Sequence, residues 1–296
     1  MQSGRALLRV VTLMLALALA VPLAAPQGTG AAETRPGAPP PMIDAANFTG
    51  GVDHPYFPLT PGTQYVYAYA EGGDSGRKLV TVTNETKTIQ GVNATIVRET
   101  TVLEGEVVEV TQDWYAQDRE GNVWYLGEDT LSFERRSTVS DAGSWEAGVA
   151  NARAGIIMHA TPPANGSYYQ EYAPNVAEDI ARDVAANHTL EVPFGNFTDV
   201  LVVRETDPLD GDVEWAYYAP DVGLIAEAAA DGSEVLRLVE VRTIGERFAS
   251  LDEWRNATAA EREAMETNVT NASIVDNESS NDSVNATRDE PLNVTP

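Results

Sequence analysis

The clearest pattern lies at residues 65–70. Tyr65, Tyr67 and Tyr69 alternate there with Val66, Ala68 and Ala70. A period of two puts one set on each face of a β-strand. Strand-forming runs recur at Leu79–Thr83, Thr95–Thr101, Val107–Asp113 and Leu131–Ser137, separated by turn signals at 61–62, 72–76, Gly91 and Gly105. Short strands punctuated every 8–12 residues predict an antiparallel meander. The stretch WYAQDREGNVWYLGED (114–129) reads as two aromatic strands around a polar turn at Gly121-Asn122.

The second half repeats this grammar. VRET stands at 97–100 and at 203–206, each preceded by a glycine and a sequon and each followed by an acidic Gly turn and a Tyr-Ala-X-Asp strand end. Two related β units are one reading, and shared strand vocabulary is the other. Between them, 147–166 reads as a crossover with a short strand near Ile156–His159. Residues 176–186 carry helical spacing at Val176, Ile180 and Val184, but alignment to the first copy predicts strand from about Ile180. The expected fold is mainly β: an antiparallel meander curled into a half-barrel or sandwich, with a short C-terminal helix.

The chain ends differ from this domain. Arg5 and Arg9 precede an apolar run from Val10 to Ala25, which predicts a signal peptide over 1–32, with an uncleaved anchor as the alternative. Residues 33–53 are rich in Pro, Gly and Ala and read as a linker, leaving an extracellular domain at 54–247. Ser250 and Glu253 form a capping-box pattern, so a helix is expected within 248–267. Residues 268–296 have few apolar positions and read as a disordered, glycosylated tail.

Composition adds three constraints. The net charge of −26 repels phosphate backbones and argues against nucleic-acid binding. It suits either a high-salt habitat or an ordinary acidic secreted protein. The absence of cysteine excludes disulfides, thiolate metal sites and lipidation at a cysteine. Thirteen of 16 asparagines open an Asn-X-Ser/Thr sequon: Asn47, Asn84, Asn93, Asn165, Asn187, Asn196, Asn256, Asn268, Asn271, Asn277, Asn281, Asn285 and Asn293. Chance predicts roughly two, so a heavily N-glycosylated surface is expected.

Candidate chemistry is sparse. Asp113, Glu128 and Asp129 could supply a carboxylate pair for hydrolysis. Asp118, Glu120 and Asn122 space oxygens like half of a calcium loop, and Asp207, Asp210 and Asp212 do so more loosely; hairpin turns explain both sets more simply. Trp114, Trp124 and Trp215 could line a groove for a glycan or lipid, with core packing as the competing role. The three histidines are far apart, and no nucleophile elbow, dinucleotide loop or phosphate loop is present. No cofactor is expected, and nothing indicates an oligomeric state.

PYFPLTPGTQYVY, WYAQDREGNVWYLGED, GSWEAGV, GIIM, YQEYAPNVAED, VPFGNFTDVL and YYAPDVGLI together resemble a family of secreted or lipid-anchored β-rich proteins of bacteria and archaea with no established activity. The resemblance spans about residues 54–243. It implies a curved antiparallel sheet like the half-barrels of lipoprotein carriers, and no catalytic residues. The expected function is therefore a secreted or cell-surface module, non-enzymatic, that binds an apolar or glycan ligand or contributes to the envelope. A carboxylate-pair hydrolase and a calcium-stabilised structural module are the alternatives.

Overall fold

The computed structural model describes residues 36–134, 137–245 and 249–274. The expected signal segment, the tail beyond residue 274 and the sequons at Asn277, Asn281, Asn285 and Asn293 lie outside them. A 3-10 turn (Ala45–Asn47) leads to a small hairpin, β1 (Asp53–His54) and β2 (Phe57–Pro58). The first meander is β3 (Thr63–Glu71), β4 (Asp74–Ile89), β5 (Val92–Leu103), β6 (Glu106–Gln117) and β7 (Val123–Glu134). Short strands follow: β8 (Ser137–Ser140), β9 (Trp145–Glu146), β10 (Arg153–Met158), β11 (Ser167–Tyr169) and β12 (Glu171–Tyr172). The second meander is β13 (Ile180–Val192), β14 (Gly195–Thr206), β15 (Val213–Ala219), β16 (Gly223–Ala229) and β17 (Glu234–Thr243). Helices α1 (Leu251–Asn256) and α2 (Ala259–Ile274) close the described chain.

All strands except the β1–β2 hairpin belong to one antiparallel sheet, in which β17 pairs with β3 and so joins the second meander to the first. The meander forms as expected, in one continuous open sheet rather than a sandwich. Its two path ends, β11 and β12, are separated in the chain by Gln170 alone, so the sheet curls round enough to bring its ends side by side there without closing into a barrel.

The two VRET copies occupy matching registers. Val97 lies opposite Asp113, and Val203 lies opposite Ala216. Tyr115 faces Tyr125 on the next strand, and Tyr218 faces Leu224. Thus β4–β7 and β13–β16 are corresponding units, and the repeated sequence reflects repeated structure.

The main core is continuous through both units, from Val66-flanking tyrosines to Leu201, Ile225 and Leu238. A second apolar cluster lies where α1 and α2 cover the first unit: Leu79, Val110, Leu131 and Phe133 pack against Leu251, Trp254 and Val269. The Ser250 hydroxyl accepts from the Glu253 amide while the Glu253 carboxylate accepts from the Ser250 amide, so the expected capping box forms. The helices run further than the sequence suggests. Residues 268–274, assigned to the tail, are helical, because Val269 finds an apolar seat under α2. Among the described residues, no helix is long and apolar enough to cross a membrane.

The expected linker is also partly structured. Thr49 donates its amide to the Gln117 carbonyl, Arg119 bonds the Ala46 carbonyl, and Arg153 bonds the Pro40 carbonyl. Paired backbone holds this Pro- and Gly-rich segment against the sheet despite its composition.

Candidate functional site

The curled sheet encloses a lumen of about 560 Å³, open to solvent, whose walls come from both units. Among the described residues, twelve carboxylates line it, against a single basic side chain, Lys78. Its aromatic lining is tyrosine (Tyr65, Tyr67, Tyr69, Tyr115, Tyr125 and Tyr218) together with Phe57 and Phe133.

Strand parity builds the first acidic set. Along β6, Glu109, Thr111, Asp113 and Tyr115 follow at spacing two and all face the lumen. On β7 the inward residues are Tyr125 and Glu128, which strict alternation would place on opposite faces. A β-bulge reconciles them: three residues of β6 (Asp113 to Tyr115) oppose four of β7 (Glu128 to Tyr125). The bulge contains Gly127 at φ +132°, where a Cβ would lie 2.3 Å from the Trp145 carbonyl oxygen, so only glycine fits. As a result the Tyr125 hydroxyl reaches both acids, at 2.6 Å from Asp113 Oδ1 and 3.3 Å from Glu128 Oε2. Asp113 Oδ2 has no partner, although the residue is only 4% exposed.

Burial and neighbouring like charge raise these acids. Burial pushes the Glu128 carboxyl up to about 8, with Glu109 adding to it. Asp113 is held well above the usual carboxylate range by burial and then by Glu99 and Glu128; the Tyr125 hydrogen bond opposes this only in part.

The second unit supplies a corresponding set. Glu205 occupies the VRET position of Glu99, and Glu227 occupies the place of Glu128 beside an equivalent bulge on β16. Glu214 lies directly opposite Glu205. One oxygen from each of Glu205, Glu214 and Glu227 lies within 4.8 Å of the others, close enough to share one cation. Gln170, at the seam of the sheet, donates from Nε2 to Glu205 Oε1 at 2.9 Å. Burial raises Glu205 to about 7 and carries Glu227 well above its ordinary value.

Lys78 reaches into this cavity. Its Nζ lies 3.7 Å from Glu99 Oε2 and 5.6 Å from the Tyr69 ring centroid. Burial alone would lower its pKa, but Glu99 and Glu227 lead a group of carboxylates that more than offsets it, so the ammonium is held charged. At one end, Phe57 packs against the two corresponding tyrosines, 5.1 Å from Tyr115 and 6.4 Å from Tyr218.

Two solved structures are similar to this chain. One is a candidate lipoprotein of Parabacteroides distasonis, 14% identical, with a TM-score of 0.37. The other is a candidate exported protein with a YmcC-like fold from Bacteroides fragilis, 13% identical, with a TM-score of 0.35. Each likeness covers 63% of this chain and 98% of the other. No protein-family model matches the chain, and no curated protein does.

The residues singled out from the sequence divide clearly. Asp113 and Glu128 meet in the lumen. Asp129 does not: the bulge turns it to the outer face, where it pairs with Arg255 at 2.7 Å. None of the three candidate tryptophans lines the lumen. Trp114 is buried with the Lys87 ammonium 3.3 Å from its ring centroid, Trp124 donates to Asp118, and Trp215 packs against the core.

The calcium spacing is a turn. Asp118 Oδ1 accepts from the Glu120 and Asn122 amides, and Oδ2 from Asn122 Nδ2 and Trp124 Nε1. These four bonds hold Asp118 below its usual pKa, against the opposing pull of burial, and occupy its acceptor sites. Asp207 and Asp210 likewise accept from amides two residues ahead, those of Leu209 and Asp212.

Asn47, Asn84, Asn93, Asn165, Asn187, Asn196, Asn256 and Asn268 are all exposed, as a glycan acceptor must be. Asn271 lies in α2.

Reading for motifs overlooked Glu99, Glu205, Glu214, Glu227 and Lys78. The repeat held a signal for two of them, since Glu99 and Glu205 are the glutamates of the two VRET copies.

Proposed function

We propose that this chain is an exported or cell-surface binding module that takes a polar small molecule into the lumen between its two units. The imbalance of twelve lumen carboxylates against one lysine carries this reading. Acids enclosed in this way need protons, hydrogen-bond donors or cations to satisfy them, and an alkyl chain supplies none of these. A polar ligand is therefore favoured over a lipid. The signal-like N-terminus and the exposed sequons support the compartment. Mild extraction of the protein secreted by its own host, followed by native mass spectrometry, tests the reading. A bound polar molecule that is lost in Asp113→Asn is the expected result; a bound lipid, or binding indifferent to Asp113, removes it.

One observation favours a second reading, hydrolysis by Asp113 and Glu128. The two carboxyls share one hydroxyl, and Glu128 is raised to the range of a general acid. Turnover of aryl glycosides that falls at least a hundredfold in Glu128→Gln would support it; an inactive wild-type protein would end it.

A further inference from the structure

We infer that the lumen accepts a linear organic dication, an α,ω-diamine or polyamine, with one ammonium end on each of the two acidic sets. This rests on the lumen being the binding site and specifies the ligand class.

Duplication is the first argument. Matching registers place Glu99 with Glu128 in one unit and Glu205 with Glu227 in the other, around a single cavity. A cavity with two corresponding acidic poles complements a molecule with two corresponding cationic ends, whose charge draws the protons off the carboxyls it meets. A single metal ion could satisfy the Glu205–Glu214–Glu227 set, but it would leave the opposite pole uncompensated.

The orphaned acceptor is the second. Asp113 lines the cavity, and its buried Oδ2 has no partner among the described residues, while Oδ1 is already held by Tyr125. Such an acceptor is costly unless a donor from outside reaches it. An ammonium brings three donors and the matching charge.

Lys78 is the third. It is an alkylammonium supplied by the protein itself, 3.7 Å from Glu99 of the first set and attracted by Glu227 of the second, with the Tyr69 ring nearby. The environment that holds its methylene stem and charged head suits a free amine equally well. A volume of about 560 Å³ lies within the range of small-molecule sites, and tyrosines offer apolar faces to the methylenes between the charges.

The test is calorimetry on the whole chain at pH 7.5, with putrescine, cadaverine and spermidine set against butylamine, calcium chloride and a neutral disaccharide. Diamines should bind at least tenfold more tightly than butylamine. Asp113→Asn and Glu205→Gln should each weaken diamine binding at least tenfold. Lys78→Gln should strengthen it, because a competing ammonium leaves the lumen; a gain of affinity cannot arise from misfolding. Equal affinity for mono- and diamines, or unchanged or weaker diamine binding in a folded Lys78→Gln protein, overturns the inference. If calcium or the disaccharide binds in an Asp113-dependent way and diamines do not, the inference fails while the polar lumen stands. If no compound binds in an Asp113-dependent way, both fail.

Discussion

The Tyr125 hydroxyl donates to Asp113 Oδ1 at 2.6 Å and lies 3.3 Å from Glu128, so one phenol holds two carboxyls together in the lumen. Removing it in Tyr125→Phe leaves both acids without that donor. The loss should be about 1–3 kcal/mol of unfolding free energy, as for other buried polar groups deprived of a partner. Urea unfolding of the two proteins at pH 7 measures it. An unchanged midpoint would show that water replaces the hydroxyl fully.

Stability should fall as pH rises. Glu128 and Glu205 sit at about 8 and about 7 in the folded protein, above the ordinary value of 4.5. A group raised on folding binds its proton more tightly in the native state, so its contribution is complete below the unfolded pKa and is lost through the folded one. The window is therefore about pH 4.5 to 8. Glu128 faces Asp113, Glu109, Glu99 and Asp179, all acids, and the Lys78 ammonium that acts on Asp113 and Glu109 offsets them only in part, so the sign holds. Thermal melts at constant ionic strength should show a lower Tm at pH 8.5 than at pH 5.5, with a shallower slope in Glu128→Gln. A Tm that rises over that interval would contradict the protonated lumen.

Gly127→Ala should be severe. The left-handed φ of +132° and a Cβ placed 2.3 Å from the Trp145 carbonyl oxygen combine backbone strain with a clash that no rotamer relieves. The expected cost is about 3 kcal/mol or more, seen as a large drop in denaturation midpoint or failure to accumulate. Gly105→Ala is a useful comparison, because its Cβ would meet nothing within 4 Å and only the φ penalty applies.

Trp254 is one of three buried side chains, with Leu251 and Val269, that seat the helices on the sheet. Trp254 is 2% exposed and packs with its ring 5.5 Å from that of Phe133. Trp254→Ala should cost about 3–5 kcal/mol if the helices and sheet unfold together. If the helices detach first, limited proteolysis will release the C-terminal segment while the β domain survives. Circular dichroism before and after protease distinguishes the two.

The exposed sequons make a direct chemical prediction. Peptides containing Asn84, Asn93, Asn165, Asn187 and Asn196, prepared from the protein made by its own host, should carry glycan mass that an N-glycan-releasing enzyme removes. Unmodified peptides at all five would mean that the sequons are only Ser/Thr-rich surface.

The meander was legible because strand alternation and turn residues are local signals. The repeat was legible because VRET recurs intact. The lumen was not, for two physical reasons. Facing residues such as Glu99 and Glu227 are brought together by curling of the whole sheet, which no short window contains. The bulge at Gly127 also changes parity, so simple alternation misplaces Glu128 relative to Tyr125. The tryptophans take the core-packing role weighed against a groove, and the lumen uses tyrosines instead, whose hydroxyls can serve the acids beside them. Asp118 makes the turn that explained its spacing more simply than calcium, since an Asx turn and a metal loop begin with the same spacing of oxygens.

The β17–β3 pairing has a consequence for the order of events during synthesis. Gln64 and Arg242, joined by hydrogen bonds of 2.6 and 2.9 Å, are 178 residues apart. A ribosome completes β3 long before it makes β17, so one flank of the first unit must wait as an unprotected edge while nearly the whole domain is translated. Pairing of β17 with β3 should then be the slow, chain-length-limited step of maturation, and the interval before it is when the nascent protein most needs a chaperone.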